Sequence, residues 1–299
     1  MKKTISLLIV VILVGVGIYF FTRNMPERLV TPPAETATTV PPVVETTTEA
    51  QSGVMLAIGK SVEGRDITAY TYGTGATELL FIGGIHGGYE WNTALVAYQL
   101  MDYLSANSSA VPANVKVTVI PVLNPDGLFK VTGTAGRFAA ADVNPSQTIQ
   151  VTGRFNGHTV DLNRNFDCDW QATGTWQNKA VSGGTKAFSE PESQAIKTYV
   201  EAHKPTAVVT FYSAAGGVYS SNCHNGVSVE TKAITSTYAK GSGYPAFENF
   251  DFYETTGDIS NWFAKNGIPA ISVLLTNHTD TEWTKNQAGV EAMLKYYSK

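Results

Sequence analysis

Residues 78–91 read Glu-Leu-Leu-Phe-Ile-Gly-Gly-Ile-His-Gly-Gly-Tyr-Glu-Trp, and this stretch decides the fold. Its apolar run, uninterrupted after Glu78 and halted at Gly83-Gly84, predicts a short strand buried on both faces. From Glu90 to Leu104 the spacing of Leu95, Tyr98, Leu100 and Met101 predicts a helix. A buried strand that passes through a glycine turn into a helix is half of a parallel βα unit. Ligands of open α/β sheets gather beyond the carboxyl ends of the strands, which is where His86 and Glu90 fall. Imidazole nitrogen and carboxylate oxygen are ordinary zinc ligands. A glycine-rich turn with an incidental His and a helix-capping Glu fits the spacing equally well.

The chain on either side repeats the theme. Val115 to Val122 predicts a second strand, closed by a turn at Asn124-Pro-Asp-Gly127. Ser189-Glu-Pro-Glu192 predicts a helix start with Ser as N-cap and Ile196 and Val200 behind it. Thr206–Tyr212 and Ala270–Leu275 are further β-rich runs. The alternation predicts one three-layer α/β/α domain over residues 53–299, with a mixed, mostly parallel sheet.

The first 52 residues have another character. Ile5 to Phe21 is a 17-residue run without charge, preceded by Lys2 and Lys3. As a helix it reaches ~26 Å, close to the ~30 Å of a hydrocarbon core. Residues 1–30 therefore read as a signal anchor or transmembrane segment, with a cleaved signal peptide as the competing reading. Residues 31–52 hold seven Thr, four Pro and three Glu, without period, and read as a disordered linker. Either reading of the leader places the domain outside the cytoplasm. The chain of 299 residues carries a net charge of −4, which lacks the basic footprint of a nucleic-acid binder. Its two cysteines exclude a disulfide-built scaffold and a four-thiolate zinc ribbon. Cys168 and Cys223 can be bonded or separate; sequence does not fix their distance.

Two further clusters carry chemistry. Arg154-Phe-Asn-Gly-His-Thr-Val-Asp-Leu-Asn163-Arg164-Asn165 places an acid, amides and guanidinium groups together. An Asn-Arg pair can bind a carboxylate, Arg by its fork and Asn as an added donor; a hydrogen-bonded loop is the plainer reading. Tyr253-Glu-Thr-Thr-Gly257-Asp258 joins an aromatic hydroxyl and a hinge glycine to a helix start.

Taken in order, with Gly59-Lys-Ser-Val-Glu-Gly-Arg65 in front, these elements resemble the zinc metallocarboxypeptidases, the carboxypeptidase A/B-like peptidases. The resemblance runs from Gly53 to the C-terminus. It implies an α/β/α fold, one zinc ion, and removal of the last residue from a peptide or a cell-wall stem peptide. His86 and Glu90 would be zinc ligands, and Arg154 would stabilise the oxyanion, with Arg137 as an alternative. Asn163 and Arg164 would grip the terminal carboxylate and Tyr253 would close over it. Asp258 would face the terminal side chain and favour a basic one.

The chain departs from that pattern at three places. Three residues separate His86 from Glu90, where the family has two. Tyr212 stands in the His-Ser step that carries the third zinc ligand, and Leu274 stands at the general-base Glu. A phenol is a poor ligand at neutral pH and leucine accepts no proton. His224, His278 and Glu282 are the candidates to supply a missing ligand or base, Glu282 being the candidate catalytic acid or base. The alternative to a peptidase is an inactive relative that binds peptide C-termini.

Overall fold

The computed structural model describes residues 53–299. The expected anchor at 1–30 and linker at 31–52 lie outside these residues. Among the described residues no helix is long and apolar enough to cross a membrane.

An eight-stranded sheet forms the centre. Its strands are β1 (Val54–Lys60), β2 (Asp66–Tyr72), β3 (Thr77–Ile82), β4 (Val115–Ile120), β7 (Ala207–Ser213), β8 (Gly217–Ser220), β9 (Ala246–Phe247) and β10 (Ala270–Leu275), in the order β1-β2-β4-β3-β7-β10-β8-β9. The four inner strands β4, β3, β7 and β10 run parallel, and β2 and β8 flank them antiparallel. A separate hairpin pairs β5 (Thr173–Trp176) with β6 (Lys179–Ser182).

Strand alternation divides the core into two layers. Leu79, Phe81, Val209, Phe211, Ile271, Val273 and Leu275 face α1 (Trp91–Ala106) and the pair α5 (Val229–Ser242) and α7 (Trp283–Tyr297). Leu80, Ile82, Val208, Tyr212, Ala270 and Leu274 face α4 (Pro191–His203) and α6 (Ile259–Lys265). The architecture is the three-layer α/β/α domain expected from the sequence. Two short helices, α2 (Pro125–Thr132) and α3 (Gln147–Thr152), pack near the turn after β3.

Two local readings change. Asn124-Pro-Asp-Gly127 is the start of α2 rather than a closing turn, and Asn124 accepts from Gly127 N at 2.8 Å. The fixed φ of Pro125 at the first helical position favours that outcome. Glu190, not Ser189, is the N-cap of α4, because Pro191 takes the first helical position. Cys168 and Cys223 form a disulfide between the loop after Arg164 and the loop after β8.

Candidate functional site

The site lies where β3, β7 and β10 end. The chain leaving β3 doubles back through Gly87 (φ +44), where an added Cβ would sit 2.7 Å from Gly153 O and 2.8 Å from Gly127 C. Only glycine fits that approach. The turn delivers His86 and then Glu90, the N-cap residue of α1. Glu90 makes no side-chain cap bond. Its carboxylate turns to the site instead: Oε1 lies 3.0 Å from His86 Nδ1, and Oε2 accepts from Ser213 N at 3.2 Å. Glu90 therefore holds the N-cap position without capping through its side chain.

Asp161 completes this cluster. Its Oδ1 lies 3.3 Å from His86 Nε2 and its Oδ2 accepts from Arg154 Nε at 2.9 Å. Burial opposes charge on Asp161, but Arg154, His86 and Arg164 hold it far below the usual carboxylate range. Both ring nitrogens of His86 are buried without hydrogen-bond geometry to any partner, despite their nearness to the two carboxylates. Arg154 is 1% exposed, with its guanidinium carbon 4.5 Å from the ring centre of Trp176 and 5.7 Å from that of Tyr89. The β5–β6 hairpin, docked through Asp161 N to Ser182 O, brings Trp176 there. Arg154 thus joins the cluster as the partner of Asp161, beneath aromatic rings rather than on the cavity wall.

The candidate carboxylate grip is adjacent. Arg164 donates from Nε and Nη2 to Thr175 O at 3.1 and 2.6 Å, and from Nη1 to Asn163 O at 2.7 Å. A guanidinium has five N–H groups, so one on each Nη stays uncommitted. Tyr253 lies over the group, 5.9 Å from ring centre to guanidinium carbon. Asn163 Oδ1 accepts from Ile259 N at 3.1 Å and from Tyr212 Oη at 3.1 Å, and Nδ2 donates to Asp258 Oδ2 at 2.8 Å. The backbone N–H of Ile259 can only donate, so the atom it meets is the amide oxygen, and the Tyr212 hydroxyl must be the donor. Burial, with Asp258 nearby, raises the Tyr212 phenol well above its ordinary value. Asp258 is the N-cap of α6, accepting from Asn261 N at 2.9 Å, and burial raises its carboxyl. Asp258 thus braces Asn163 and also lines the inner cavity.

These groups match a zinc site only in part. His86 Nδ1, orphaned and facing Glu90, suits a metal. The third position does not: the Tyr212 proton is committed to Asn163, and Leu274, its neighbour across the β7–β10 ladder, offers no oxygen. Among the described residues, no three His, Cys, Asp or Glu ligand atoms converge here; Cys168, Asp169 and Cys223 do converge, but both sulfurs are in the disulfide. Catalytic zinc takes three protein ligands, so the donor set falls short.

The proposed substitutes do not repair it. Glu282 lies outside the cavity walls, in the left-handed N-cap conformation of α7 (φ +46). Its carboxylate accepts from Thr276 N, Tyr244 Oη and Lys285 Nζ, which fasten the loop after β10. His224 pairs with Asp169 at the surface, and Arg137 with Asp102. His278 does reach the site's edge, with Nδ1 2.8 Å from Ser213 Oγ and its ring tilted against Tyr89 at 4.7 Å. Asp161, Tyr89 and Trp176 join the site without having been expected there from the sequence. Asp161 was within reach of it as the acid seven residues after Arg154; Trp176 depends on a hairpin contact with no local signal.

Two connected hollows adjoin the cluster. An inner cavity of about 160 Å³ is bounded by His86, Asn163, Arg164, Tyr212, Asp258 and Leu274, among others. An outer cleft of about 810 Å³ shares Glu90, Ser213, Phe250, Tyr253 and Leu274 with it.

A model of the zinc carboxypeptidase family matches residues 44–282. Metallocarboxypeptidase A of Trichophyton rubrum is 33% identical over 131 residues, which cover 40% of this chain and 29% of that protein. Carboxypeptidase O of Bos taurus is 31% identical over 171 residues, 52% of this chain and 44% of that protein. The chain thus spans less than half the length of these relatives. Among solved structures, carboxypeptidase A of Helicoverpa armigera superposes with a TM-score of 0.62 at 20% identity, over 83% of this chain and 67% of that one. Murein-tripeptide amidase MpaA of Escherichia coli O157 gives 0.57 at 19% identity, over 85% of this chain and 97% of that one. At these identities the superpositions speak for the fold.

Proposed function

The chain belongs to the zinc carboxypeptidase family, and from that premise we propose that it binds free peptide C-termini without hydrolysing them. The observation that carries this reading is the Tyr212–Asn163 hydrogen bond. It commits the residue at the third-ligand position to the carboxylate grip and leaves the metal donors incomplete. The two uncommitted N–H groups of Arg164, one on each Nη, supply a fork for the terminal carboxylate. Thr175 O and Asn163 O hold the guanidinium plane in place, so little is lost in ordering it when a ligand binds. Tyr253 lies over Arg164 and shields one side of it, a lower-dielectric setting in which an ion pair is stronger. Candidate ligands are peptides or peptidoglycan-stem peptides that end in a free carboxylate.

A second reading, metal-assisted exopeptidase activity, draws on the orphaned nitrogens of His86 beside Glu90. Zinc would then be held by His86 and Glu90 and would supply Lewis-acid chemistry. One experiment separates the two readings. The purified protein is offered one peptide as free acid and as C-terminal amide, with and without added zinc, and binding and amino-acid release are both recorded. We expect the acid to bind at least about tenfold more tightly, as a charge-assisted contact implies, with no release. Release by the unmodified protein overturns the non-hydrolytic reading; equal affinity for acid and amide overturns the grip. Metal content by mass spectrometry should stay far below one zinc per chain, and rise in the variant Tyr212→His with Leu274→Glu.

The run Ile5–Phe21 supports placing the domain at the outer face of a membrane, and the Cys168–Cys223 bridge accords with an oxidising compartment. Protease accessibility on intact cells tests this; protection of the domain refutes it.

A further inference from the structure

The outer cleft differs in chemistry from the inner cavity. Tyr89 and Trp176 stand edge to face at 5.0 Å, and Phe250 meets Phe252 at 5.2 Å and Tyr253 at 5.1 Å. His278 packs on Tyr89 in the same cleft. Where the two hollows meet, the shared wall is Leu274, Phe250, Tyr253 and Ser213 with Glu90. The one carboxylate on the cleft wall, Glu90, is 3% exposed and already held by Ser213 N. Phe252, on the same cleft wall, is 62% exposed and leaves its ring open to an occupant.

From this we propose that the outer cleft receives the residues upstream of the bound C-terminus and selects an aromatic side chain at the second-to-last position. The inference rests on the C-terminus-binding reading. Its occupant is argued from continuity: five residues belong to both hollows, so the cleft adjoins the place where a carboxylate would meet Arg164 and offers a path for the chain upstream of it. The absence of an exposed charge on the wall disfavours an acidic or basic residue there, because burying either would leave it unpaired. Aromatic rings instead find edge and face partners in Tyr89, Phe250 and Phe252, and contribute more than their buried area alone.

The test uses the purified full-length protein and dye-labelled peptides that end in Phe-Ser, Ala-Ser or Glu-Ser, each as free acid and amide, read by fluorescence anisotropy. The Phe peptide acid should bind about tenfold more tightly than the Ala peptide, and the Glu peptide most weakly. In Phe252→Ala the Phe-to-Ala ratio should fall below about threefold, since burial of that ring supplies part of the preference. Acids that bind better than amides, but with equal affinity for Phe and Ala, overturn this inference while sparing the C-terminus reading. Equal binding of acids and amides overturns the reading on which it rests. A muropeptide that displaces the Phe peptide at lower concentration than unlabelled Phe peptide also overturns it, in favour of a sugar-bearing ligand.

Discussion

Replacing Cys168 and Cys223 with serine removes the one covalent tie between the loop after Arg164 and the loop after β8, and its cost can be worked from the chain. The bridge closes a loop of 55 residues. In the loop-entropy description, a loop that long withholds about 14 cal/mol/K from the unfolded chain, or about 4 kcal/mol at 25 °C. A domain of this size loses roughly 2–4 °C of melting temperature per kcal/mol, so the double variant should melt about 8–16 °C lower. Calorimetry on the oxidised protein and the variant reads this directly. The native walls keep backbone ties that do not involve sulfur: Gly257 N donates to Cys168 O at 2.7 Å and Asn222 N to Asn261 Oδ1 at 3.1 Å. Peptide affinity should therefore change by less than about twofold, because the effect acts through the unfolded state. A melting shift under about 3 °C would refute the entropy argument, since the predicted stabilisation leaves no room for so small an effect. A tenfold loss of affinity with little change in melting would show that the bridge shapes the pocket itself.

Two further outcomes follow from buried contacts. Burial works against charge on Glu282, but Lys285, Thr276 and Tyr244 bring its pKa down to about 2 from 4.5. A depressed carboxyl gives stability that is complete above 4.5 and disappears as pH falls through about 2. Glu282→Gln should therefore melt lower than the native protein at pH 7, with the gap narrowing steadily below pH 4.5; a gap that is constant with pH would contradict the ion-pair account. Gly257 has φ +65, and an added Cβ would lie 2.2 Å from Arg164 O. Gly257→Ala should cost more than about 1 kcal/mol, beyond the usual glycine effect, and weaken binding of free-acid peptides. Unchanged melting and affinity would show that the backbone yields there.

The parts of the molecule legible in the sequence were those set by near neighbours. The run from Glu78 to Trp91 announces strand, turn and helix because burial on both faces, glycine stops and helical spacing all act within fourteen residues. Tyr212 and Leu274 could be singled out because the strands that carry them also read locally. What stayed hidden depends on distant partners. The Cys168–Cys223 pairing was left open because topology brings the two loops together. Arg154 was expected to face a scissile carbonyl, yet a hairpin some twenty residues later lays Trp176 over it. Glu282 follows β10 closely in sequence, but its backbone turns the carboxylate toward Thr276 N and Lys285. Asp258 lines the inner cavity as a specificity group would, and its bonds to Asn261 and Asn163 depend on partners that sequence does not show to be close.

Tyr212 and Leu274 are paired across adjacent strands, and that pairing constrains the order in which the two positions can change. Leu274 is 7% exposed and Glu90 faces the same cavity. A glutamate at 274 without a metal would add a further buried carboxylate to a cavity that Glu90 and Asp258 already line, a costly arrangement. A histidine at 212 beside Leu274 carries no such penalty and restores a donor first. Tyr212→His alone should therefore lower the melting temperature less than Leu274→Glu alone, and the reverse order of the two single variants would refute this. In the present pair both positions are neutral, and the Tyr212 hydroxyl is engaged by Asn163.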